Sequence, residues 1–219
     1  MQVTYNSTHN GYSINNKQGQ GCYVEILDKL DAHTQDMIQN HSQVLTLRFD
    51  LRTKSDSDEH LDSKKLDHFR ENITADLTRN NPLPEEGMRR AKHKNQSKHK
   101  VDPRLIVVLE QHGVKKPHAH CFLLVNGNAK KEPWDILQRV ERQYANTLKE
   151  EYELGLVDYC DKKGPNSYMI KSNDIENLHE MQNVVSYHRS YLAKTRGKDK
   201  RVKGSWLVRG TRLPKKDSD

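Results

Sequence analysis

The chain has 219 residues, 33% of them hydrophobic and 31% charged, which suits one domain with polar loops or tails. Its 37 Lys+Arg against 30 Asp+Glu leave a formal charge of +7, pointing towards nucleic acid or anionic lipid as the partner class. No stretch nears the roughly 18 consecutive apolar residues of a membrane span, no leader opens the polar first 21 residues, and three scattered cysteines (Cys22, Cys121, Cys160) argue against a disulfide framework or a thiolate zinc site; the expectation is a cytoplasmic protein.

Residues 1–21, rich in Asn, Gln, Ser, Thr and Gly, read as a flexible arm. Val24, Leu27, Leu30, Met37 and Ile38 then recur at about helical spacing. From Val44 to Arg52 the chain alternates strictly: Val44, Thr46, Arg48, Asp50 and Arg52 point one way, Leu45, Leu47, Phe49 and Leu51 the other. This strand should rest its apolar face on helices and turn its polar face to substrate. Leu66, Phe69, Ile73 and Leu77 predict an amphipathic helix over 62–80, stopped before Pro82 and Pro84. Residues 88–101 carry Arg89, Arg90, Lys92, Lys94, Lys98 and Lys100 with no acid. They read equally as a solvated basic loop or as a loop contacting phosphates.

Two apolar runs, 105–109 and 118–125, form a hairpin around residues 113–116. A helix over 134–152, weak strands over 155–160 and 168–171, a last helix over 174–194 and a terminal strand over 206–208 complete the order. The chain shows no internal repeat. Strands interleaved with helices predict an α+β fold, a central antiparallel sheet of about five strands with flanking helices.

The informative segment runs from Glu110 to His120. His118 and His120 are two apart on a strand, so both imidazoles leave one face, while Ala119 and Cys121 face the core. A hairpin closing through Gly113 brings Glu110, at the end of the preceding strand, beside them. A Glu/His/His set with open positions suits Mn2+ or Mg2+ bound together with phosphate and water. His112 is a rival ligand in or beside the turn, and two strand histidines are also compatible with ordinary polar positions. In the last helix Tyr187, Tyr191 and Lys194 are spaced by four and three, which puts both phenols and the ammonium on one face of a helix. A phenol attacks a phosphodiester only when its proton is lost or its oxygen polarised, because its ordinary pKa is about 10.

The alternating strand, the His118-Ala119-His120 motif after Glu110, and Tyr191 with Lys194 resemble, in this order, the HUH endonuclease superfamily. More narrowly the chain is similar to rolling-circle replication initiators of filamentous phages and to prophage YagK/YfjJ-type proteins, over about residues 43–213, with Gly210–Leu213 similar to that group's closing segment. The resemblance implies an HUH/RRM-like (ferredoxin-like) architecture, with 22–213 as a nicking-joining domain and 214–219 as a tail. It implies a metal site at His118, His120 and Glu110, with Tyr191 as nucleophile and Lys194 as its helper. Tyr187 makes a Tyr-xxx-Tyr pair similar to initiators that alternate two tyrosines, but a Lys three residues on follows only Tyr191. The implied activity is metal-dependent nicking and joining of single-stranded DNA at a replication origin, through a 5′-phosphotyrosine intermediate. No small-molecule cofactor is needed beyond the metal. The loop 89–100 and a basic tail with Arg196 and Lys198 would track DNA phosphates. No nucleotide-binding GxxxxGK[ST] motif occurs, so a host helicase and DNA polymerase are the implied partners in a bacterial cytoplasm. The alternatives are an HUH transposase, or a non-catalytic origin- or RNA-binding module on the same sheet.

Overall fold

The computed structural model describes residues 1–16, 19–54, 61–79, 99–110, 116–149, 156–161, 164–198 and 206–213. Short strands β1 (Val3–Thr4), β2 (Thr8–His9), β3 (Tyr12–Ser13) and β4 (Cys22–Tyr23) lead into α1 (Val24–Asn40) and β5 (Gln43–Leu51). Then come α2 (Ser63–Arg79), β6 (Arg104–Glu110), β7 (His118–Asn126), α3 (Pro133–Leu148), β8 (Val157–Asp158) and β9 (Ser167–Lys171). The order ends with α4 (Ile175–Arg189), a 3-10 turn (Ser190–Ala193) and β10 (Val208–Gly210).

The expected α+β fold is present. Its six-stranded sheet, one strand more than about five, runs β10-β6-β7-β5-β8, with β9 also pairing β5. Every one of these pairings is antiparallel. The alternation of β5 decides the layers. Leu45, Leu47, Phe49 and Leu51 join Val107, Leu109, Cys121 and Leu123 in a core under Leu66, Phe69 and Ile73 of α2 and Ile136 and Val140 of α3. The other face sends Val44, Ile106, Val108, Phe122 and Leu124 against Ile26, Leu27 and Leu30 of α1, Val185 of α4 and Leu192 of the 3-10 turn. Burial on both faces explains why β6 and β7 read as near-continuous apolar runs. Each such Leu, Ile, Val or Phe contributes about 1.5–3 kcal/mol by leaving water. Among the described residues no helix is long and apolar enough to cross a membrane.

Three expectations are corrected. First, the flexible arm expected over 1–21 is a packed strap over 1–16 and 19–21. β1 pairs β4, Ile14 is 4% exposed in the second core, and Ser13 N–H donates to Asn183 Oδ1 at 2.7 Å. Asn15 N–H donates to Ser190 Oγ at 2.7 Å, His9 Nε2 is 2.8 Å from Asp28, and the Tyr12 hydroxyl meets Gln182. Composition signals disorder through missing apolar residues, whereas this strap gains its order from hydrogen bonds to α1 and α4. Gly21 fits it at φ +70, where a Cβ would stand 2.7 Å from Val3 Cγ1. Second, the last helix does not run to Lys194. It stops at Arg189, and Ser190, whose Oγ donates to Tyr187 O at 2.9 Å, opens the tighter 3-10 turn. Third, the helix expected over 134–152 ends at Leu148, because Lys149 turns left-handed at φ 56.

Arg189 locks α4 to α1. Buried at 3% exposure, it donates to the Leu30 carbonyl at 3.0 Å, to the Thr34 hydroxyl and to the Asp31 carboxylate, which also accepts from Asn10 at 2.7 Å. Replacing Arg189 by Ala should strand Asp31 beside a cavity and cost about 3 kcal/mol or more of stability. Chemical denaturation followed by circular dichroism measures it as a lower midpoint.

Candidate functional site

The β6–β7 hairpin places Glu110 opposite His118, and β5 places Asp50 opposite His120. Because side chains alternate, His118 and His120 share the face of the sheet that meets α1 and the 3-10 turn. Ala119 and Cys121 drop into the opposite core as expected. The ligand atoms of Glu110, His118 and His120 all lie within 4.8 Å of one another. His120, only 2% exposed, stands between two carboxylates, Nδ1 at 2.7 Å from Asp50 Oδ1 and Nε2 at 2.8 Å from Glu110 Oε2. Glu110 Oε1 faces His118 Nε2 at 3.7 Å.

The electrostatics follow from burial and neighbours. Burial alone would raise the Glu110 carboxyl, but the hydrogen bond from His120 and the charge of Lys198 outweigh it and hold its pKa at about 2. Burial also works against Asp50, yet His120 and Arg48 keep its pKa below the ordinary carboxylate value. Burial and the adjacent His120 lower His118, which favours the neutral imidazole that a metal requires. The donor chemistry fits a divalent ion, with one ionised carboxylate and two imidazoles: Asp50 holds His120 Nδ1, and an ion at Nε2 would take the place of the proton shared there with Glu110. The thiols do not join in. Burial and Asp50 push Cys160 up to about 12, and Cys121 is raised well above the ordinary thiol value by burial.

The 3-10 turn brings Tyr191 to this set. Its ring stands edge-on to His120 with centroids 5.3 Å apart, while His118 and His120 are 4.9 Å apart. Lys194 Nζ lies 4.8 Å from the Tyr191 ring centre and the Arg48 guanidinium 4.1 Å from it. Burial raises the Tyr191 pKa; Arg48 opposes this, and Glu110 and Asp50 add to it. The turn is held from the strap: Lys194 bridges Cys22, and Thr195 N–H donates to Gly21 O at 3.2 Å. Tyr187 lies half-buried on α4 proper, so the two tyrosines do not share the single continuous α-helical face expected of them.

The basic residues separate. Arg196 is exposed, just past the tyrosine turn, and Lys100 is exposed at the far end of the sheet, where its carbonyl accepts from Asn126 at 2.9 Å. That end is six β6 residues from Glu110, about 20 Å along the strand. Lys198, expected on a DNA-tracking tail, is instead 3% exposed, its Nζ 3.2 Å from Glu110 Oε2. The turn reaches so close because residue 197 is glycine: at φ +79, a Cβ there would stand 2.3 Å from Glu110 Oε1. Arg89, Arg90, Lys92, Lys94, Lys98, His112 and the tail 214–219 lie outside the described residues. Asp50 and Arg48 were missed as named site residues, although their signal was present in the polar positions of the alternating strand.

Two variants test the donor set. Calorimetry should find Mn2+ binding lost when His118 and His120 are both replaced by Ala, and weakened about 10–100-fold in Asp50→Asn. Proton competition lowers affinity as pH falls. At His118 that competition sets in below the ordinary imidazole value, because burial and the adjacent His120 lower its pKa.

No match to the chain was found among curated proteins or among solved structures. The profile of one family, the YagK/YfjJ C-terminal domain, matches residues 4–204, which takes in most of the strap, the sheet except its edge strand β10, the Glu–His–His group and Tyr191. The chain belongs to the YagK/YfjJ C-terminal domain family.

Proposed function

We propose that this protein is a rolling-circle replication initiator of the HUH type. It nicks single-stranded DNA at an origin and rejoins it through a 5′-phosphotyrosine on Tyr191. The observation that carries this reading is the Tyr191 ring edge-on to His120 at 5.3 Å, inside a Glu–His–His group able to hold a divalent ion. A phenol beside a metal-type donor set, with cations against its ring, is suited to attack on a phosphodiester. A +7 chain suits the polyanionic substrate.

Glu110, His118 and His120 would hold the ion, Mn2+ or Mg2+, which when bound would supply withdrawal of charge from a non-bridging oxygen of the scissile phosphate. Asp50 keeps His120 turned to the group, and the low pKa of Glu110 keeps that carboxylate ionised throughout the working pH range. Tyr191 Oη forms the new bond to phosphorus as the bond from phosphorus to the 3′-oxygen breaks. The phenol gives up its proton to water, and the departing 3′-oxygen takes one up. Lys194 offsets the negative charge that builds up during attack. The phosphodiester energy is conserved in the tyrosyl ester, so joining needs no ATP. The 3′-hydroxyl released on nicking primes a polymerase, and strand opening falls to a host helicase.

The test is to incubate the protein with single-stranded DNA and Mn2+, then digest it and analyse the peptides by mass spectrometry. A nucleotide should appear on Tyr191. Tyr191→Phe should remove the adduct while keeping Mn2+ and DNA binding, because Phe keeps the ring and loses only the hydroxyl. Tyr187→Phe should leave the first nick intact. Adduct on Tyr187 overturns the assignment of Tyr191 as nucleophile; no adduct on the wild type with origin-length DNA overturns the nicking reading and favours a non-catalytic binding module.

A further inference from the structure

Arg48 stands two residues before Asp50 on β5, so both side chains leave the sheet on the face that carries His120. Its guanidinium lies 4.1 Å from the centre of the Tyr191 ring. Among the described residues no carboxylate pairs with it, and its Nε is buried with no hydrogen-bond partner. Arg70 and Arg139 share an unpartnered Nε, but Arg139 and other arginines of the fold meet a carboxylate. Arg104 meets Asp36 at 3.3 Å, Arg139 meets Asp76 at 2.9 Å, and Arg189 meets Asp31. Asp50 feels the charge of Arg48 without forming an ion pair with it, and a half-buried guanidinium with no paired carboxylate is costly. The aromatic face of Tyr191 compensates only in part, since it offers no acceptor for the N–H groups. The charge of Arg48 is felt nearby: with burial as the larger cause, it lowers the pKa of His188 to about 4, so that imidazole adds no second cation. Arg142 also has a buried unpartnered nitrogen, but it lies on α3, across the sheet from Tyr191.

We propose that Arg48 is a further catalytic residue, a phosphate-binding cation whose guanidinium receives the non-bridging oxygens of the phosphodiester attacked by Tyr191. The planar fork of Arg suits two phosphate oxygens at once, which a Lys ammonium cannot reproduce. The inference rests on the phosphodiester reading above and adds to it the residue that fixes the phosphate against the attacking phenol. In the step, Tyr191 Oη bonds to phosphorus as the 3′-oxygen leaves. The charge crowding the non-bridging oxygens is met by a guanidinium already in place 4.1 Å from the centre of the attacking ring, which limits solvent reorganisation. The unmatched charge is thus a preformed half of an ion pair whose other half is the substrate.

Two measurements test this, on the full chain in Mg2+ buffer: calorimetric binding of inorganic phosphate, and the single-turnover rate of tyrosyl adduct formation on single-stranded DNA. Arg48→Met should weaken phosphate binding about tenfold or more and slow adduct formation about a hundredfold. Arg48→Lys should fall between it and wild type, and Arg142→Met should match wild type in both. Arg48→Met should unfold at a midpoint no lower than wild type, because the substitution removes an unpaired cation; this also shows that the variant is folded. Wild-type phosphate affinity or a wild-type adduct rate in Arg48→Met overturns the proposal. A lowered unfolding midpoint with phosphate affinity unchanged would make Arg48 a packing residue and overturn it too. If the wild type forms no adduct while Arg48→Met still loses phosphate binding, the nicking reading falls and the anion site at Arg48 stands.

Discussion

A row of hydrogen bonds crossing three strands, Asp50 on β5 to His120 on β7 to Glu110 on β6, is the constraint on which the site depends. It exists only because β5 and β7 pair with Asp50 opposite His120 while β6 and β7 pair with Glu110 opposite His118. A slip of one residue in either pairing would turn a carboxylate or an imidazole to the other face of the sheet. The register cannot slip easily, since it would also take Leu47, Phe49, Val107 and Leu123, each at most 1% exposed, out of the core under α2 and α3. The apolar cores on both faces therefore set the geometry of the polar group at the sheet's end.

That polar group is dense for a place so little exposed to water. Asp50 and Glu110 carry negative charge; Arg48, Lys194 and Lys198 supply the nearby positive charge. His120 satisfies both ring nitrogens inside the protein, which fixes its orientation as strongly as its backbone position does. Lys198 is the least intuitive member. It shares Glu110 Oε2 with His120, and Gly197 lets its turn come within reach of that carboxylate. Any divalent ion held by Glu110 shares that carboxylate with the Lys198 ammonium. The segment 195–198 thus belongs to the candidate centre as well as following the tyrosine.

The tyrosine turn is in turn positioned by a part of the chain distant in sequence. β4 supplies the bridge from Cys22 to Lys194, and the strap the acceptors at Gln20 and Gly21 for Thr195 and the amide of Asn15 for Ser190. The helix to which Tyr191 is joined is fastened to α1 through Arg189. Residues near the N-terminus therefore set where a side chain near residue 191 lies relative to the sheet. The match of the family profile from residue 4 onwards agrees with the strap being part of the domain.

Much of this architecture was legible in the sequence because it rests on local periodicity. The alternation at 44–52 specified a strand with two unlike faces, the spacing of Leu66, Phe69, Ile73 and Leu77 specified α2, and the two-residue spacing of His118 and His120 specified a shared face. These are properties of a few neighbouring residues. The hairpin added Glu110, because antiparallel pairing of consecutive strands is nearly as local. What periodicity cannot carry is the choice among neighbours made by tertiary packing. The polar strap looked unfolded because its order comes from acceptors and donors on distant helices. Lys198 looked like a surface cation because nothing within the sequence around it announces a carboxylate from β6. Arg48 and Asp50 were visible as polar strand positions, but only the pairing of β5 with β7 and the docking of the 3-10 turn decided that they meet His120 and Tyr191. The sequence by itself determined which faces exist; the tertiary structure alone decided which faces meet, because hydrogen bonds and ion pairs between distant segments form only after the apolar layers have fixed their register.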